Sequence, residues 1–202
     1  MEKIKETTVA NTEVVAKPQG SQTAEKTAKA EGKGIVATRI LTRAGVIAAL
    51  YVALSLLTLP VASGAIQFRA SEALTILPLF FPEAIPALAI GCMLSNIITG
   101  CAVWDVIFGS VITLVAAVLT FYTGKIIKTR WLKIGVGGLF PVLLNAFFLP
   151  VIWYYCYGEL EFVYMLQVLF LIISQSVSVY AIGAPLYLGV ERLRLKEFKA
   201  VL

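Results

Sequence analysis

The sequence predicts an all-α membrane protein, and two observations support this prediction. Of its 202 residues, 59% are hydrophobic and only 14% are charged, whereas a soluble domain is nearer half apolar and a quarter charged. The charge is also segregated, so that each of five uncharged runs reaches the roughly 18 residues that a membrane-spanning helix needs. These runs are residues 44–68, 84–104, 106–124, 134–158 and 162–190.

A sixth, shorter apolar segment covers residues 73–81 and ends at Pro82. With six spans, the N-terminus, the basic loop at 125–133 and the C-terminus all lie in the cytoplasm, as the positive-inside rule requires. With five spans, that basic loop would lie outside. We therefore predict a bundle of six transmembrane helices in the cell membrane, with both termini cytoplasmic.

The short segment is unusual. As an α-helix over residues 70–81 it would be about 18 Å long, which is too short to cross a bilayer in contact with lipid. We therefore expect neighbouring helices to enclose it, with Ser71 as its N-terminal cap, Glu72 in its first turn, and Pro82 and Pro86 breaking the helix before the next span. Short helices inside a bundle are where transporters place ligands.

The ends of the chain differ from its middle. Residues 1–38 are rich in Thr, Ala, Lys and Glu and have few large apolar side chains. Such a composition cannot bury enough surface to fold alone. We predict a disordered cytoplasmic tail at 1–38, a six-helix domain at 39–195 and a cytoplasmic C-terminal tail at 196–202.

Arg69 and Glu72 stand three residues apart between two very apolar parts of the chain. Ionisable groups at membrane depth are functional by default, so we predict that the two line an outward-facing cavity. A simple ion pair between them is the alternative. Further candidates for this cavity are Gln67, Asn96, Trp104, Asp105, Asn145 and Gln175. The buried amides would otherwise bridge helices, and Trp104 would otherwise belong to the interfacial aromatic belt.

The sequence lacks the residues that several other kinds of function require. The chain has no histidine, and its three cysteines, Cys92, Cys101 and Cys156, have no CxxC spacing, so we expect no metal site and interpret the cysteines as packing residues. No GxxxxGK[ST] motif is present, so a nucleotide cannot bind by that route. The basic clusters follow membrane topology and do not indicate nucleic acid. We predict no catalytic residue and no cofactor, which disfavours an enzyme acting on lipid.

Three stretches of the chain resemble the QueT family: residues 38–60, 64–96 and 104–117. The most specific of them is 64–96, which contains FRASEAL and PEAIP. The resemblance covers about residues 38–190. It implies the substrate-binding (S) component of an energy-coupling factor (ECF) transporter, with a six-helix fold and a pocket open to the extracellular side. It also implies a queuosine precursor as ligand, and a transmembrane coupling (T) protein and two cytoplasmic ATPases as partners.

The first span carries small residues in two registers, Ala44 with Ala48 and Ala49 with Ala53. Residues four apart share a helix face, and small residues let another helix approach closely. The resemblance implies that such an AxxxA face docks the coupling protein, with Ala44 and Ala48 matching the pattern and Ala49 and Ala53 offering a second register. Packing inside the bundle is the alternative.

Queuosine precursors are 7-deazaguanines, whose guanine-like edge presents a ring N–H beside an amino group. A carboxylate accepts both hydrogens in a charge-assisted pair, and we predict this role for Glu72. Asn96, Asp105 or Gln67 would bind other edges, and Trp104 would stack on the ring. The alternatives are an S component for another vitamin, such as a thiamin-like cation, and a membrane assembly subunit that transports nothing.

Overall fold

The computed structural model describes residues 19–62, 67–158 and 163–201, with side chains at 34–62, 67–156, 158 and 163–194. These residues fall in two compact units, the first ending at Arg39 and the second beginning at Ile40. The described part is helical and contains no strand, which confirms the all-α prediction. Its elements are α1 (Gln19–Leu57), α2 (Leu59–Ala62), a 3₁₀ helix (Ala70–Leu79), α3 (Ala84–Ile98), α4 (Val103–Ile126), α5 (Arg130–Tyr157), α6 (Tyr164–Ser176), a π-helical segment (Val177–Gly183) and α7 (Ala184–Val201).

Both predicted tails contain helical backbone. Helix α1 begins at Gln19, within the segment predicted to be disordered. Residues 19–33 are rich in Ala, Lys and Glu, whose helix propensity does not depend on burying an apolar face. Residues 1–18 lie outside the described part. At the other end, α7 continues to Val201, so most of the predicted tail at 196–202 has helical backbone.

The protein is a membrane protein. Among the described residues, four helices are long and apolar enough to cross a bilayer: Gly34–Leu57, Val103–Ile126, Arg130–Cys156 and Tyr164–Arg194. Two shorter apolar helices, Ala70–Leu79 and Ala84–Ile98, complete a set of six helical segments. The six membrane crossings and the cytoplasmic termini stay predictions.

Two contacts show that α1 and the 3₁₀ helix run in opposite directions. Near its C-terminal end, α1 reaches the start of the 3₁₀ helix, where Ser55 Oγ donates to Ser71 Oγ at 2.8 Å. Nearer its N-terminal end, α1 lies beside the residues that follow the 3₁₀ helix, where Arg43 pairs with Glu83 at 3.5 Å. The second unit therefore has two ends, which we call the cavity end (near Ser71) and the basic end (near Glu83).

The short segment is enclosed by its neighbours, as predicted, because every residue from Ala70 to Pro78 is buried. It is a 3₁₀ helix, however, and not an α-helix. A 3₁₀ helix rises about 2.0 Å per residue, so its ten residues reach about 20 Å. This geometry lets a short sequence extend from one end of the bundle toward the other.

Two local predictions for this segment were wrong. The N-cap is Arg69 and makes no side-chain capping bond, whereas Ser71 lies inside the helix and bonds to α1. Pro86 does not break a helix either, because it lies in the first turn of α3, where its missing N–H has no intrahelical partner to lose. Only Pro82 lies in the turn that separates the two helices.

The 3₁₀ period of three residues gives the segment three straight faces. Leu74 and Leu77 lie on the face that begins at Ser71, and they pack with buried residues of α1 and α3. Ile76 lies on a second face and packs with Ile134 of α5 and Tyr187 of α7. Glu72 and Thr75 lie on the third face. Two faces therefore serve packing and the third carries the acidic side chain.

Glycines let other helices reach the backbone of the 3₁₀ helix. A Cβ at Gly183, in the π-helical segment, would lie 2.9 Å from the carbonyl oxygen of Ala73. A Cβ at Gly124, in α4, would lie 2.9 Å from the carbonyl oxygen of Leu79. Both distances are shorter than real Cβ contacts, so these two positions require glycine. The 3₁₀ helix is thus held backbone to backbone within the bundle.

Candidate functional site

A cavity of about 260 Å³ lies at the cavity end, between the helices of the second unit. All but one of the residues predicted to bind a ligand line it, and the exception is Trp104. The predicted residues that line it are Gln67, Arg69, Glu72, Asn96, Asp105, Asn145 and Gln175. The fold thus gathers side chains from five separate parts of the sequence around one space.

Glu72 occupies the buried part of this cavity and is only 3% exposed. It lies in the first turn of the 3₁₀ helix, as predicted. Tyr51 Oη donates to its Oε1 at 2.8 Å, and Asn145 Nδ2 donates to its Oε2 at 3.2 Å. A carboxylate has about four acceptor positions. These two bonds therefore fix the carboxylate and leave acceptor capacity beside the cavity.

Arg69 is not the ion-pair partner of Glu72. Its Nη1 donates to Asn96 Oδ1 at 3.0 Å, and the ion pairs among the described side chains do not join it to Glu72. Asn96 Nδ2 in turn donates to the backbone oxygen of Asp105 at 3.0 Å. The structure thus replaces the simple pair with a chain of bonds that links the 3₁₀ helix, α3 and α4.

Asp105 lies in the first turn of α4 and lines the cavity. Trp153 Nε1 donates to its Oδ1 at 3.0 Å, and Trp153 also lines the cavity. Sequence reasoning did not single out Trp153. A usable signal existed, because Asn145, Leu149 and Trp153 recur every four residues and therefore share one side of α5.

Trp104 lies outside the cavity lining. Its side chain is 49% exposed and stacks on Phe108, with ring centroids 5.9 Å apart. Adjacent helical residues differ by about 100° in direction, so Asp105 can face the cavity while Trp104 faces away from it. The position fits the alternative reading of Trp104 as an interfacial residue.

Gln175 has a polar atom with no partner. The side chain lies in the last turn of α6, lines the cavity and is 3% exposed. Its Oε1 makes no hydrogen bond to any described residue. Buried polar atoms are normally bonded, so an unpaired amide oxygen at a cavity wall indicates a place where a ligand donates.

Gln67 lines the cavity just before the 3₁₀ helix and has a positive φ of 39°. A non-glycine residue in this region is uncommon, and strained backbone is often found at ligand sites. Sequence reasoning chose Gln67 for its polarity alone, since nothing in the sequence marks its backbone conformation.

Other cavity residues were not predicted. Tyr51 holds Glu72, and Ser55 of the same helix lines the cavity. Cys92 and Cys101 also line it, although we interpreted the cysteines as packing residues. A tyrosine and a serine four residues apart in an apolar span share one face and were an available signal.

The four alanines of α1 separate into two environments. Ala44 and Ala48 are partly buried and pack against the core cluster that contains Ile47 and Leu88. Ala49 and Ala53 are exposed. The first register therefore packs inside the bundle, whereas the second presents a small-residue surface.

No group of His, Cys, Asp and Glu among the described residues is arranged to hold a metal.

Comparison with known proteins identifies the family. Residues 41–192 match the family model described as QueT transporter, which covers most of the chain and nearly all of its described second unit. No curated protein sequence and no solved structure matches the chain at a significant level. The match extends through every element that lines the cavity and confirms the resemblance seen in the sequence. The chain therefore belongs to the QueT transporter family.

Proposed function

We propose that this chain is the substrate-binding component of an ECF importer in the cell membrane and that its cavity binds a 7-deazaguanine precursor of queuosine. The observation that carries the proposal is the cavity with a hydrogen-bonded carboxylate, Glu72, in its wall. The family supplies the transport role, and the chemistry of the cavity supports the class of solute. Binding is followed by transport and involves no reaction.

The cavity wall has the acceptors that a guanine-like edge requires. Glu72 accepts the ring N–H and the exocyclic amino group together in a charge-assisted pair. The unpaired Oε1 of Gln175 accepts a further hydrogen from the ligand. Trp153, rather than Trp104, offers an aromatic ring at the cavity wall.

Cavity size favours a base over a nucleoside. Pockets for drug-sized ligands measure roughly 300–1,000 Å³, and this cavity measures about 260 Å³. A fused bicyclic base with a small substituent suits that volume. A ribose attached to the base would need additional space.

Calorimetry on the purified chain tests the proposal. We expect 7-aminomethyl-7-deazaguanine, 7-cyano-7-deazaguanine or queuine to bind with nanomolar to micromolar affinity. A folded protein that binds none of the three overturns the substrate assignment. A different vitamin, such as a thiamin-like cation, would then be sought by mass spectrometry of ligand that co-purifies with the chain.

We propose that a coupling protein and two ATPases work with this chain, as in ECF transporters, and the lack of a Walker-type nucleotide-binding motif in the chain fits this proposal. We propose that the exposed register of α1, Ala49 and Ala53, forms the docking face, and Gly45 extends it by one turn. The inward position of Ala44 and Ala48 gives that register a packing role instead.

The two registers can be separated by substitution. We expect Ala49→Leu to abolish co-purification with the coupling protein while ligand affinity stays unchanged. Ala48→Leu should instead lower the unfolding temperature of the isolated chain, because its side chain packs against the core. If Ala49→Leu leaves the complex intact, the docking face lies elsewhere.

If Glu72→Gln leaves uptake intact, an assembly role without a ligand becomes the better interpretation.

A further inference from the structure

Two arginines converge on one aromatic ring at the basic end. The guanidinium carbon of Arg43, in α1, lies 5.3 Å from the ring centroid of Phe81, and that of Arg194, in α7, lies 5.6 Å from the same centroid. Phe81 stands in the turn between the 3₁₀ helix and α3. The fold thus brings cations from its first and last helices to a single point on the surface.

The carboxylate of Glu83 compensates only one of these cations. It lies 3.5 Å from Arg43 Nη1, which is longer than a charge-assisted hydrogen bond usually measures. The ion pairs among the described side chains do not include Arg194, whose Nη1 instead lies 3.5 Å from the backbone oxygen of Phe80. A guanidinium has five N–H donors, so both arginines keep donors for an anion.

Both cations can be reached from outside the bundle. The Arg43 side chain is 52% exposed, and Arg194 is exposed as well. The Glu83 side chain is only 7% exposed. An anion that approaches this surface therefore meets two guanidinium groups, while the one carboxylate beside them is buried.

The surrounding surface is positive too. Among the described side chains of the basic end, seven are basic, and the two acidic ones are Glu83 and Glu191. The basic ones are Arg43, Lys125, Lys128, Arg130, Lys133, Arg192 and Arg194. Such a surface raises the local concentration of anions, and the two guanidinium groups at Phe81 offer them a defined place to bind.

Exposed apolar side chains at the same end favour a lipid over a soluble anion. Leu193, next to Arg194, is 63% exposed. Ile126 and Trp131 flank the loop between α4 and α5 and are 76% and 68% exposed. An exposed tryptophan beside basic residues is typical of the level at which lipid headgroups meet acyl chains, and basic pockets between transmembrane helices bind anionic headgroups.

We propose that Arg43 and Arg194 form a binding site for the phosphate group of an anionic phospholipid. Phosphate oxygens accept hydrogen bonds from both guanidinium groups, whose planar forks match their geometry. Phe81 keeps the two groups together through cation–π contacts, and Leu193 contacts the acyl chains. The site lies at the opposite end from the cavity and does not depend on which solute the cavity binds.

Native mass spectrometry of the full chain in a neutral detergent provides the first test. The probes are phosphatidylglycerol, which carries one negative charge, and phosphatidylcholine with the same acyl chains, which is neutral overall. We expect phosphatidylglycerol to bind at least about fivefold more tightly, which is what one arginine contributes near anionic lipid. Equal affinity for the two lipids overturns the proposal.

A pair of variants then assigns the preference to a residue. Arg194→Gln should weaken the binding of phosphatidylglycerol by about fivefold. Arg192→Gln is the matched control, because it removes the same charge from a side chain that points about 200° away around α7, and it should keep the wild-type affinity. Equal losses in the two variants indicate a diffuse surface charge and overturn the site.

A third variant tests the other arginine without leaving Glu83 unpaired. Arg43→Lys keeps the positive charge and loses the planar fork, so it should weaken the binding of phosphatidylglycerol while the unfolding temperature stays near that of the wild type. Wild-type affinity in folded Arg43→Lys and folded Arg194→Gln overturns the proposal.

Inorganic phosphate distinguishes a lipid site from a site for a free anion. We expect it to leave bound phosphatidylglycerol in place at equal concentration, because it lacks the acyl chains that meet Leu193. Displacement of the lipid under that condition overturns the assignment to a phospholipid.

Discussion

The two ends of the bundle both contain charged residues, but they arrange them differently. At the cavity end, Glu72 and Arg69 bond to neutral side chains of other helices, and an open space remains beside them. At the basic end, Glu83 pairs with Arg43, and Glu191 pairs with Arg130 at 2.9 Å. The charged side chains at the cavity end thus meet neutral partners beside an open space, whereas those at the basic end meet an opposite charge.

Aromatic side chains strengthen this contrast. At the basic end, the guanidinium of Arg43 lies 5.3 Å from the ring centroid of Phe81, and that of Arg194 lies 5.6 Å from the same ring. Such cation–π contacts stabilise the cations where they stand. At the cavity end, Trp153 instead donates a hydrogen bond to Asp105 and borders the empty space.

Removing one carboxylate at each end should give the largest contrast. Glu72→Gln should weaken ligand binding by about 1.5–3 kcal/mol, because a charged acceptor becomes neutral. Glu83→Gln removes the same charge at the basic end, where it pairs with Arg43, so ligand affinity should remain as in the wild type. Titration calorimetry of both variants measures the difference. Equal losses in the two variants would contradict the separate roles of the two ends.

The next largest effect should come from the segment that joins the ends. Gly183→Ala places a Cβ 2.9 Å from the carbonyl oxygen of Ala73, and overpacking of this kind costs about 1–3 kcal/mol of unfolding free energy. Gly189→Ala is the control, because a Cβ there meets nothing within 4 Å and should stabilise α7 slightly. Thermal unfolding in detergent should therefore shift in opposite directions for the two variants, and a shift in the same direction would argue against the close approach at Ala73.

A pair of tryptophan variants sharpens the description of the cavity end. Trp153→Phe keeps an aromatic ring and loses the bond to Asp105, so we expect ligand affinity to fall by about 1 kcal/mol. Trp104→Phe should leave affinity unchanged, since Trp104 is not part of the cavity lining. If calorimetry instead finds the loss in the Trp104 variant, the cavity has been placed on the wrong side of α4.

The smallest effect should come from the ion pair between Arg130 and Glu191. The Arg130 side chain is half exposed, and exposed pairs contribute at most about 1 kcal/mol. Glu191→Gln should therefore change the unfolding free energy by less than about 1 kcal/mol and should not affect binding. Chemical denaturation measures the change in unfolding free energy. A larger loss would show that the basic end contributes more to stability than its exposure suggests.

Sequence reasoning succeeded where the distribution of charged and apolar residues showed which parts of the chain meet water and which meet lipid. The segregation of charge predicted a membrane protein, and one acidic residue in an apolar region predicted the wall of a cavity. It was less successful wherever helix rotation decided the outcome. Trp104 and Trp153 are both tryptophans at the predicted outer ends of spans, and only the direction of each side chain separates them. The two registers of alanines in α1 likewise can be told apart only from the way α1 packs against α3.

The type of helix formed by the short segment was also missed. Residues 70–79 are apolar at most positions, so hydrophobic periodicity does not distinguish a 3₁₀ helix from an α-helix there. Runs of more than three or four 3₁₀ residues are uncommon, and we therefore assumed the commoner helix. The 3₁₀ helix lies in close contact with glycines of α4 and of the π-helical segment.

Because the rows of this 3₁₀ helix are straight, the number of its residues sets both its reach and its phase. Deleting one residue between Thr75 and Leu79 would shorten the segment by about 2 Å and turn its two parts against each other by about 120°. Leu79 would then leave the contact with Gly124, or the carboxylate would leave the cavity. A change in the length of the segment would therefore misplace one end of the bundle in order to keep the other.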